Sequence, residues 1–283
     1  MELNTAKIQY SKADLCRGLK LPINLTEELA EDIGIMIGDG HIGKYIRKGR
    51  IDYVIQCSGN LITDWEYYAG FVRVLKKNLF NLDFSVRETK KNTLKFKINS
   101  RGLLEFYTKI IKLPLGRKTD ITIPAQITKN EKLMIACIRG IIDTDGSLVF
   151  RKKDKNINYY PLIKLSCASQ QLIKQISKFL SGLGYKVTNS FNLHSIQPKT
   201  GTITIGHELH MNGKKNLEKW ISEIGFNNPK NLLKYRLWKQ KGFCPPDQEI
   251  RLKMYGPRGK FASTVSNPRP RYPVQQNALK LIG

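Results

Sequence analysis

The segment GIMIGDGHI, residues 34–42, ends an apolar helical stretch with three glycines around a single aspartate, Asp39. Each glycine inside a helix costs roughly 1 kcal/mol relative to alanine, so the segment gives up local stability. Small residues at i, i+4 and i+8 form one narrow stripe on a helix, and this stripe leads straight to an Asp-Gly. The arrangement recurs 106 residues later, where Ala30, Gly34, Gly38, Asp39 and Gly40 correspond to Ala136, Gly140, Thr144, Asp145 and Gly146.

Two such stripes predict two helices that pack with unusually close backbones, because glycine and alanine leave little between them. Asp39 and Asp145 would then lie side by side at the same end of the helix pair, around a pseudo-twofold axis. Carboxylates at helix C-termini repel each other and the helix dipoles unless a cation is present. Mg²⁺ suits this position because it takes oxygen ligands from one or two carboxylates together with water and phosphate.

The segments after each Asp-Gly repeat the same order of predicted elements. In the first half they are a hairpin in YIRKGRIDYVIQCS, a helix in TDWEYYAGFVRVLKKNL, strands in FSVRE and TLKFKIN, and a helix in GLLEFYTKIIK. In the second half they are strands in SLVFRKK and YYPLIKLSCAS, a helix in QQLIKQISKFLSGLGY, strands in YKVTNSF and TITIGHELHM, and a helix in KNLEKWISEIG. Alternating apolar and polar residues predict sheets with one polar and one apolar face. We therefore predict an α+β fold built from a pseudo-twofold pair of αββαββα units.

The composition of the chain and the positions of its prolines and glycines predict how the whole chain is organised. The predicted division is an N-terminal arm (1–24), a first repeat (25–117), a linker (118–131), a second repeat (132–244) and a basic C-terminal extension (245–283). The extension contains PP, GPRGK and NPRPRYP, which argue against a packed element.

The chain is strongly basic. Its 283 residues include 48 Lys and Arg against 23 Asp and Glu, a formal net charge of +25, which favours a polyanionic partner such as nucleic acid. No run of about 18 apolar residues indicates a membrane span, and the opening MELNTAKIQY lacks the apolar core of a signal peptide. We therefore expect a soluble, intracellular protein. Five scattered cysteines without a CxxC pair indicate neither a disulfide framework nor a zinc site.

The two Asp-Gly motifs resemble those of the LAGLIDADG homing endonucleases of the single-chain, two-motif kind. The resemblance covers about residues 25–244. CIRGIIDTDGS is close to the family pattern, whereas in GIMIGDGHI Ile37 and Gly38 replace the usual Asp and Ala and the final Asp-Gly is kept. QCSGN and NNPKNLLKYRLWKQKGFCPP add to the resemblance.

The resemblance implies that the two helices form the interface between the repeats, with helices packed on one face of each of two saddle-shaped sheets that lie in the DNA major groove. Asp39 and Asp145 would bind Mg²⁺ or Mn²⁺ and cleave both strands across the minor groove, with the carbonyl groups of Gly38 and Thr144 as additional ligands. No histidine nucleophile is needed.

Three further residues are catalytic candidates. Gln56 matches a family position that orients water or metal, and a solvated strand residue is its alternative. Lys118 and Lys230 each follow the closing helix of a repeat and could stabilise phosphate charge; a simple phosphate contact or a solvated lysine remains open. His207 and His210 lie three apart on a predicted strand, which puts them on opposite faces and argues against a joint metal site.

The candidates for reading DNA are polar residues on the predicted strands, since Arg and Lys pair with guanine and Asn with adenine in the major groove. They are Arg47, Arg50, Asp52, Arg87, Lys95 and Lys97 in the first sheet, and Arg151, Lys153, Lys164, Asn189, Thr204 and Glu208 in the second.

The predicted function is therefore a metal-dependent, site-specific endonuclease that makes a staggered break in a long, asymmetric double-stranded DNA target. We expect a monomer encoded within an intron and, without flanking splicing residues, a free-standing enzyme. An RNA maturase that binds its host intron RNA is the alternative, and a non-catalytic DNA-binding regulator is a third. Retention of both aspartates favours the nuclease. A calcium loop in DTDGSLVFRKKD is rejected, because Gly146 and Asp154 do not match its required positions.

Overall fold

The computed structural model describes residues 1–89, 92–196 and 201–246. Residues 1–244 form one compact unit, and the predicted C-terminal extension lies outside the described residues from residue 247 onward. The unit contains two four-stranded antiparallel sheets with helices. The predicted α+β fold with a pair of αββαββα units is confirmed.

The helices and strands fall where the sequence pattern predicts them, with a few additions. The helices are α1 (Lys12–Cys16), α2 (Glu27–Ile37), α3 (Arg73–Phe80, preceded by a π-helical segment, Tyr67–Val72), α4 (Arg101–Glu105, followed by a π-helical segment, Phe106–Ile110), α5 (Ala125–Thr128), α6 (Glu131–Thr144), α7 (Gln170–Gly182), α8 (Lys214–Glu223) and α9 (Pro229–Lys241). The strands are β1 (Gly40–Arg47), β2 (Arg50–Asn60), β3 (Ser85–Thr89), β4 (Thr93–Asn99), β5 (Gly146–Arg151), β6 (Tyr160–Cys167), β7 (Val187–Ile196) and β8 (Ile203–Asn212).

The two sheets have the same topology, which expresses the internal repeat. Their strand orders are β1-β2-β4-β3 and β5-β6-β8-β7. In the first hairpin Arg47 pairs with Arg50, and the two turn residues between them, Lys48 and Gly49, have φ angles of 48° and 73°. Positive φ at both positions matches the twist of a two-residue hairpin.

Each sheet has an apolar face against the helices and a polar face, as the alternation predicts. On β4, Leu94, Phe96 and Ile98 are buried, whereas Lys95 and Asn99 are exposed. The second sheet follows the same rule, since Leu165 and Leu209 are directly opposed and fully buried. On α7, Ile173, Ile176 and Leu180 supply the complementary apolar stripe.

Two segments outside the repeated pattern have defined structure. The segment predicted as an N-terminal arm packs on the first repeat: Asp14 Oδ2 accepts hydrogen bonds from the backbone nitrogens of Arg101 and Gly102 at 3.1 and 3.0 Å. These bonds satisfy the first turn of α4. After α8 the chain forms α9, for which Asn228 is the N-cap residue. Among the described residues, no helix has the length and apolar character needed to cross a membrane.

Candidate active site at the ends of helices α2 and α6

Helices α2 and α6 touch through their backbones, and glycine is required at the contact. A Cβ atom built on Gly34 would overlap the carbonyl oxygen of Cys137, and one on Gly140 would overlap the carbonyl oxygen of Glu31. These obstacles are backbone atoms, which cannot rotate away as a side chain can. The close approach predicted from the repeated stripe is therefore present.

The close contact continues to the ends of both helices, where the two aspartates lie. A Cβ on Gly38 would overlap the hydroxyl of Thr144 and would lie 3.5 Å from the backbone nitrogen of Asp145. Asp39 directly follows Gly38, and Asp145 is the C-cap residue of α6. The two carboxylates therefore share one end of the helix pair, each at the start of the first strand of its sheet.

The electrostatics of the two aspartates disfavour ionisation of both at once. Burial and the charge of Asp145 raise the pKa of Asp39 to about 7, against the hydrogen bond from Tyr68, which lowers it. The Tyr68 hydroxyl donates to Asp39 Oδ2 at 2.6 Å. Asp145 as a residue is exposed, yet the protein atoms packed around its carboxylate raise its pKa, against the nearby charges of Lys118 and Lys230, which lower it.

Lys118 lies against the C-terminal end of α2. Its ammonium donates to the carbonyl oxygen of Ile37 at 2.8 Å and also to that of Gly38. Burial lowers the pKa of Lys118, whereas the charge of Asp145 raises it. The positive charge compensates the negative end of the helix dipole. The carbonyl of Gly38, predicted as a metal ligand, thus accepts a hydrogen bond from Lys118.

Lys230 reaches the site from the first turn of α9 and is held by an acid that sequence reasoning missed. Lys230 Nζ lies 2.8 Å from Asp64 Oδ1. Asp64 belongs to the loop before the π-helical segment of the first repeat, 166 positions away in the sequence. In TDWEYY, Asp64 is typical of the start of a helix, so the pattern gives no signal of this contact.

The remaining predicted site residues have specific partners. The Thr144 hydroxyl donates to the carbonyl oxygens of Gly140 and Ile141 at 2.8 and 3.0 Å. Gln56 lies on the polar face of β2, opposite Lys97, and its amide donates to the Ser58 hydroxyl at 3.1 Å.

All six DNA-reading candidates of the first sheet share one polar face. The strand register opposes Arg47 to Arg50, Arg87 to Lys95, and Gln56 to Lys97, and directly opposed residues of antiparallel strands lie on the same face. Asp52 belongs to this face by alternation along β2, and it lies 3.7 Å from Arg47.

Five of the six candidates of the second half lie on or beside the polar face of that sheet. Lys164 and Glu208 form an ion pair at 2.5 Å, and the hydroxyls of Thr204 and Ser195 are hydrogen bonded at 2.7 Å. Arg151 is exposed at the end of β5. Just beyond it, Lys153 Nζ lies 5.0 Å from the centre of the Tyr160 ring.

Asn189 requires a correction. It is directly opposed to Leu209, which is fully buried, so the register puts Asn189 on the helix-facing side of the sheet. Its amide donates to the Ser177 hydroxyl of α7 at 2.8 Å. The predicted separation of the two histidines is confirmed, since His207 is buried and His210 contacts Glu208 on the other face.

The donor set at the helix ends fits a divalent cation that binds together with a phosphate. Within the described residues, no group of three or more His, Cys, Asp or Glu side chains could hold a metal by itself. Asp39 and Asp145 provide the two carboxylates, and Mg²⁺ commonly completes its coordination with water and substrate phosphate oxygens. A cation there would also relieve the repulsion between the two acids.

The model of one protein family matches the second repeat. Residues 132–225 match the model of the LAGLIDADG-like domain, which confirms the resemblance carried by the DTDG motif. An uncharacterized protein of Methanocaldococcus jannaschii is 30% identical over 172 residues, 58% of this chain and 57% of that protein.

Two other relatives match similar lengths of the chain. The glutamine–fructose-6-phosphate aminotransferase of M. jannaschii is 26% identical over 212 residues, 74% of this chain and 17% of that protein. A replication factor C small subunit of Thermococcus kodakarensis is 26% identical over 207 residues, 73% of this chain and 20% of that protein. The chain thus spans little more than half of the first relative and a fifth or less of the other two.

Solved structures of two DNA-bound proteins also resemble the chain. The homing endonuclease I-DmoI in complex with DNA and Mn is 18% identical, with a TM-score of 0.48, over 71% of this chain and 98% of that chain. The LAGLIDADG meganuclease I-AabMI bound to uncleaved DNA is 13% identical, with a TM-score of 0.47, over 81% of this chain and 97% of that chain.

Proposed function

We propose that this protein is a site-specific DNA endonuclease that binds divalent metal ions through Asp39 and Asp145 and makes a staggered double-strand break. The observation that carries this proposal is the pair of carboxylates at the joined ends of α2 and α6, with Lys118 and Lys230 beside them. Such a pair raises the free energy of the unliganded fold, which makes a purely structural role unfavourable.

Each residue of the site would have its own role in hydrolysis. When bound, Mg²⁺ or Mn²⁺ would supply an activated water and stabilise the leaving oxygen. Asp39 and Asp145 would hold the ions at two phosphates, one on each strand. The ammonium groups of Lys118 and Lys230 would stabilise the negative charge that develops on those phosphates, and Gln56 would orient water from the polar face of β2.

The polar faces of the two sheets would position the duplex. The first face presents Arg47, Arg50, Asp52, Arg87, Lys95 and Lys97, and the second presents Arg151, Lys164, Thr204 and Glu208, with Lys153 just beyond the end of β5. Strands β2, β7 and β8 have ten or eleven residues, a rise of about 33–36 Å. Contacts of this length suit a long, asymmetric target, and one chain with both aspartates would act as a monomer.

The pattern of relatives supports a homing role. More than 200 residues of this chain match segments within an aminotransferase and a replication factor, and cover a fifth or less of each. A segment shared by proteins as different as an aminotransferase and a replication factor is expected of an element that inserts into host genes. We infer that the enzyme cleaves a site into which its own coding element is then copied. The matching segments of the two relatives are translated with their host proteins, so they support insertion alone. That the coding element of this chain is an intron is a separate proposal.

An RNA maturase is the second candidate, and basic residues outside the two polar faces are consistent with it. Exposed lysines also lie on the helices, away from the two polar faces, as at Lys77, Lys174 and Lys178. A backbone-binding surface of this kind would attract RNA as readily as DNA.

Selection of cleaved plasmids from a target library tests the nuclease. With Mg²⁺ or Mn²⁺, the wild type should linearise one target family. Asp39→Asn and Asp145→Asn should bind that target and lose cleavage, since Asn keeps the shape of Asp without its charge. Asp83→Asn is the matched control, because Asp83 pairs with Arg73 on the surface, and it should cleave normally.

The result separates the two candidates. A folded wild type that cuts no target with either metal would contradict the nuclease. Splicing assistance that survives Asp39→Asn would support the maturase.

A further inference from the structure

An acid of the first repeat holds the lysine of the second repeat at the candidate active site. Lys230 Nζ and Asp64 Oδ1 are 2.8 Å apart, and their side chains are only 22% and 10% exposed. The other oxygen of Asp64 accepts a hydrogen bond from the backbone nitrogen of Asn60 at 2.8 Å. Because this bond fixes the carboxylate to its own loop, Asp64 offers Lys230 a defined position.

The backbone of Lys230 is anchored as well. Asn228 caps α9 by accepting a hydrogen bond from the Lys230 nitrogen at 3.1 Å. The same side chain donates to the carbonyl oxygen of Asp143 at 2.9 Å, which ties the start of α9 to the end of α6. Lys230 is therefore held at both its backbone nitrogen and its ammonium group, with a flexible stem between them. The charge of the ammonium lowers the pKa of both Asp39 and Asp145.

The two lysines of the site are held differently. Lys118 is bound by carbonyl oxygens at the end of α2, whereas Lys230 is bound by a carboxylate. Asp64 directly precedes the helical segment that follows β2, and the corresponding residue, directly before α7, is Ser169, so the second repeat has no acid at the equivalent place. The pseudo-twofold symmetry of the two aspartates is broken at this point.

We propose that Asp64 is a positioning residue for one of the two strand-cleavage centres, where it holds the Lys230 ammonium at the phosphate to be cut. This inference rests on the proposed nuclease function. A lysine ammonium is a compact charge on a flexible four-carbon stem, so without Asp64 it would spread over several rotamers. Asp64 thus makes cleavage of one strand depend on a contact between the repeats that the other strand does not need.

Strand-resolved cleavage kinetics test this role. Asp64→Asn removes the charge and keeps an oxygen that can accept from Asn60. On a target duplex with a different fluorophore on each strand, the nicking rate of one strand should fall about tenfold or more. The other rate should change little. A purely structural role would lower both rates together and leave their ratio unchanged, which would overturn the inference.

A double-mutant cycle assigns the effect to Lys230. Lys230→Met should slow the same strand, and adding Asp64→Asn to it should produce no further loss, because the two residues act through one contact. A further loss in the double variant would overturn the role. Asp83→Asn, which breaks an exposed ion pair of the same repeat, should leave the strand ratio unchanged.

One readout does not depend on cleavage. Acylation of lysines, followed by peptide mass mapping, should show slow labelling of Lys230 in the wild type and faster labelling in Asp64→Asn. Equal labelling would overturn the positioning contact. A wild type that cleaves neither strand contradicts the proposed function, whereas one that cleaves both, with an unaltered ratio in Asp64→Asn, contradicts this inference alone.

Discussion

Replacing Gly34 by alanine should destabilise the protein, although alanine is the better helix former. The added methyl group would overlap the carbonyl oxygen of Cys137 on the facing helix. Because that oxygen belongs to the backbone, the overlap can be relieved only by moving α2 and α6 apart. The substitution therefore tests whether the repeated small residues serve the contact between the helices.

The expected magnitude follows from two opposing effects. Alanine gains about 1 kcal/mol in helix propensity, and overpacking a tight contact costs roughly 1–3 kcal/mol. Because the obstacle is a backbone atom, the cost for Gly34→Ala should be at the top of that range, about 3 kcal/mol. After the gain in helix propensity, the free energy of unfolding should fall by about 2 kcal/mol. For a protein of this size the midpoint of thermal unfolding should fall by about 4–8 °C.

Urea unfolding, followed by tryptophan fluorescence, measures this loss. Gly140→Ala is the symmetric counterpart and should behave alike, since its methyl group would overlap the carbonyl oxygen of Glu31. Gly182→Ala is the matched control, because Gly182 lies in α7 with nothing within 4 Å of an added Cβ, and it should be neutral or stabilising. Equal stability of the Gly34→Ala and Gly182→Ala variants would refute the reasoning.

Three other substitutions have outcomes set by electrostatics. The folded-state pKa of Asp39, about 7, exceeds the unfolded value of about 3.9, so ionisation of Asp39 destabilises the fold as the pH rises between these values. Asp39→Asn should therefore raise the free energy of unfolding by up to about 4 kcal/mol at pH 8 and by little at pH 4. An equal gain at both pH values would contradict this. Tyr68→Phe removes the hydrogen bond that lowers the Asp39 pKa, and should shift the pH of half-maximal cleavage upward; an unchanged midpoint would count against that bond. Lys76 and Asp32 form a fully buried ion pair with a distance of 2.5 Å. Lys76→Met leaves the Asp32 charge unpaired, which should lower the free energy of unfolding in urea by about 3–5 kcal/mol. A loss below about 1 kcal/mol would show that the pair is not needed for stability.

The sequence predicts the fold well because the main signals are local and occur twice. The period of 106 residues, the small-residue stripes and the alternation on β4 each specify an element and the face it buries. Asp39 and Asp145 follow from the same repeat. These features need no knowledge of contacts between distant segments.

What the sequence does not reveal depends on such contacts. The contact of Asp64 with Lys230 requires that α9 bring the lysine to it from the other repeat. The bond between Lys118 and the Gly38 carbonyl depends on the path of the linker. Asn189 lies on the helix-facing side because of its register with Leu209, and alternation alone leaves the starting face of β7 undefined.

Binding of Mn²⁺ to the protein–target complex tests the central claim most directly. Electron paramagnetic resonance reports the Mn²⁺ that stays free in solution, and it needs no cleavage. The wild-type complex should take up Mn²⁺ that a complex of the Asp39→Asn/Asp145→Asn double variant leaves free. Equal uptake by both complexes would contradict the assignment of the two aspartates as metal ligands.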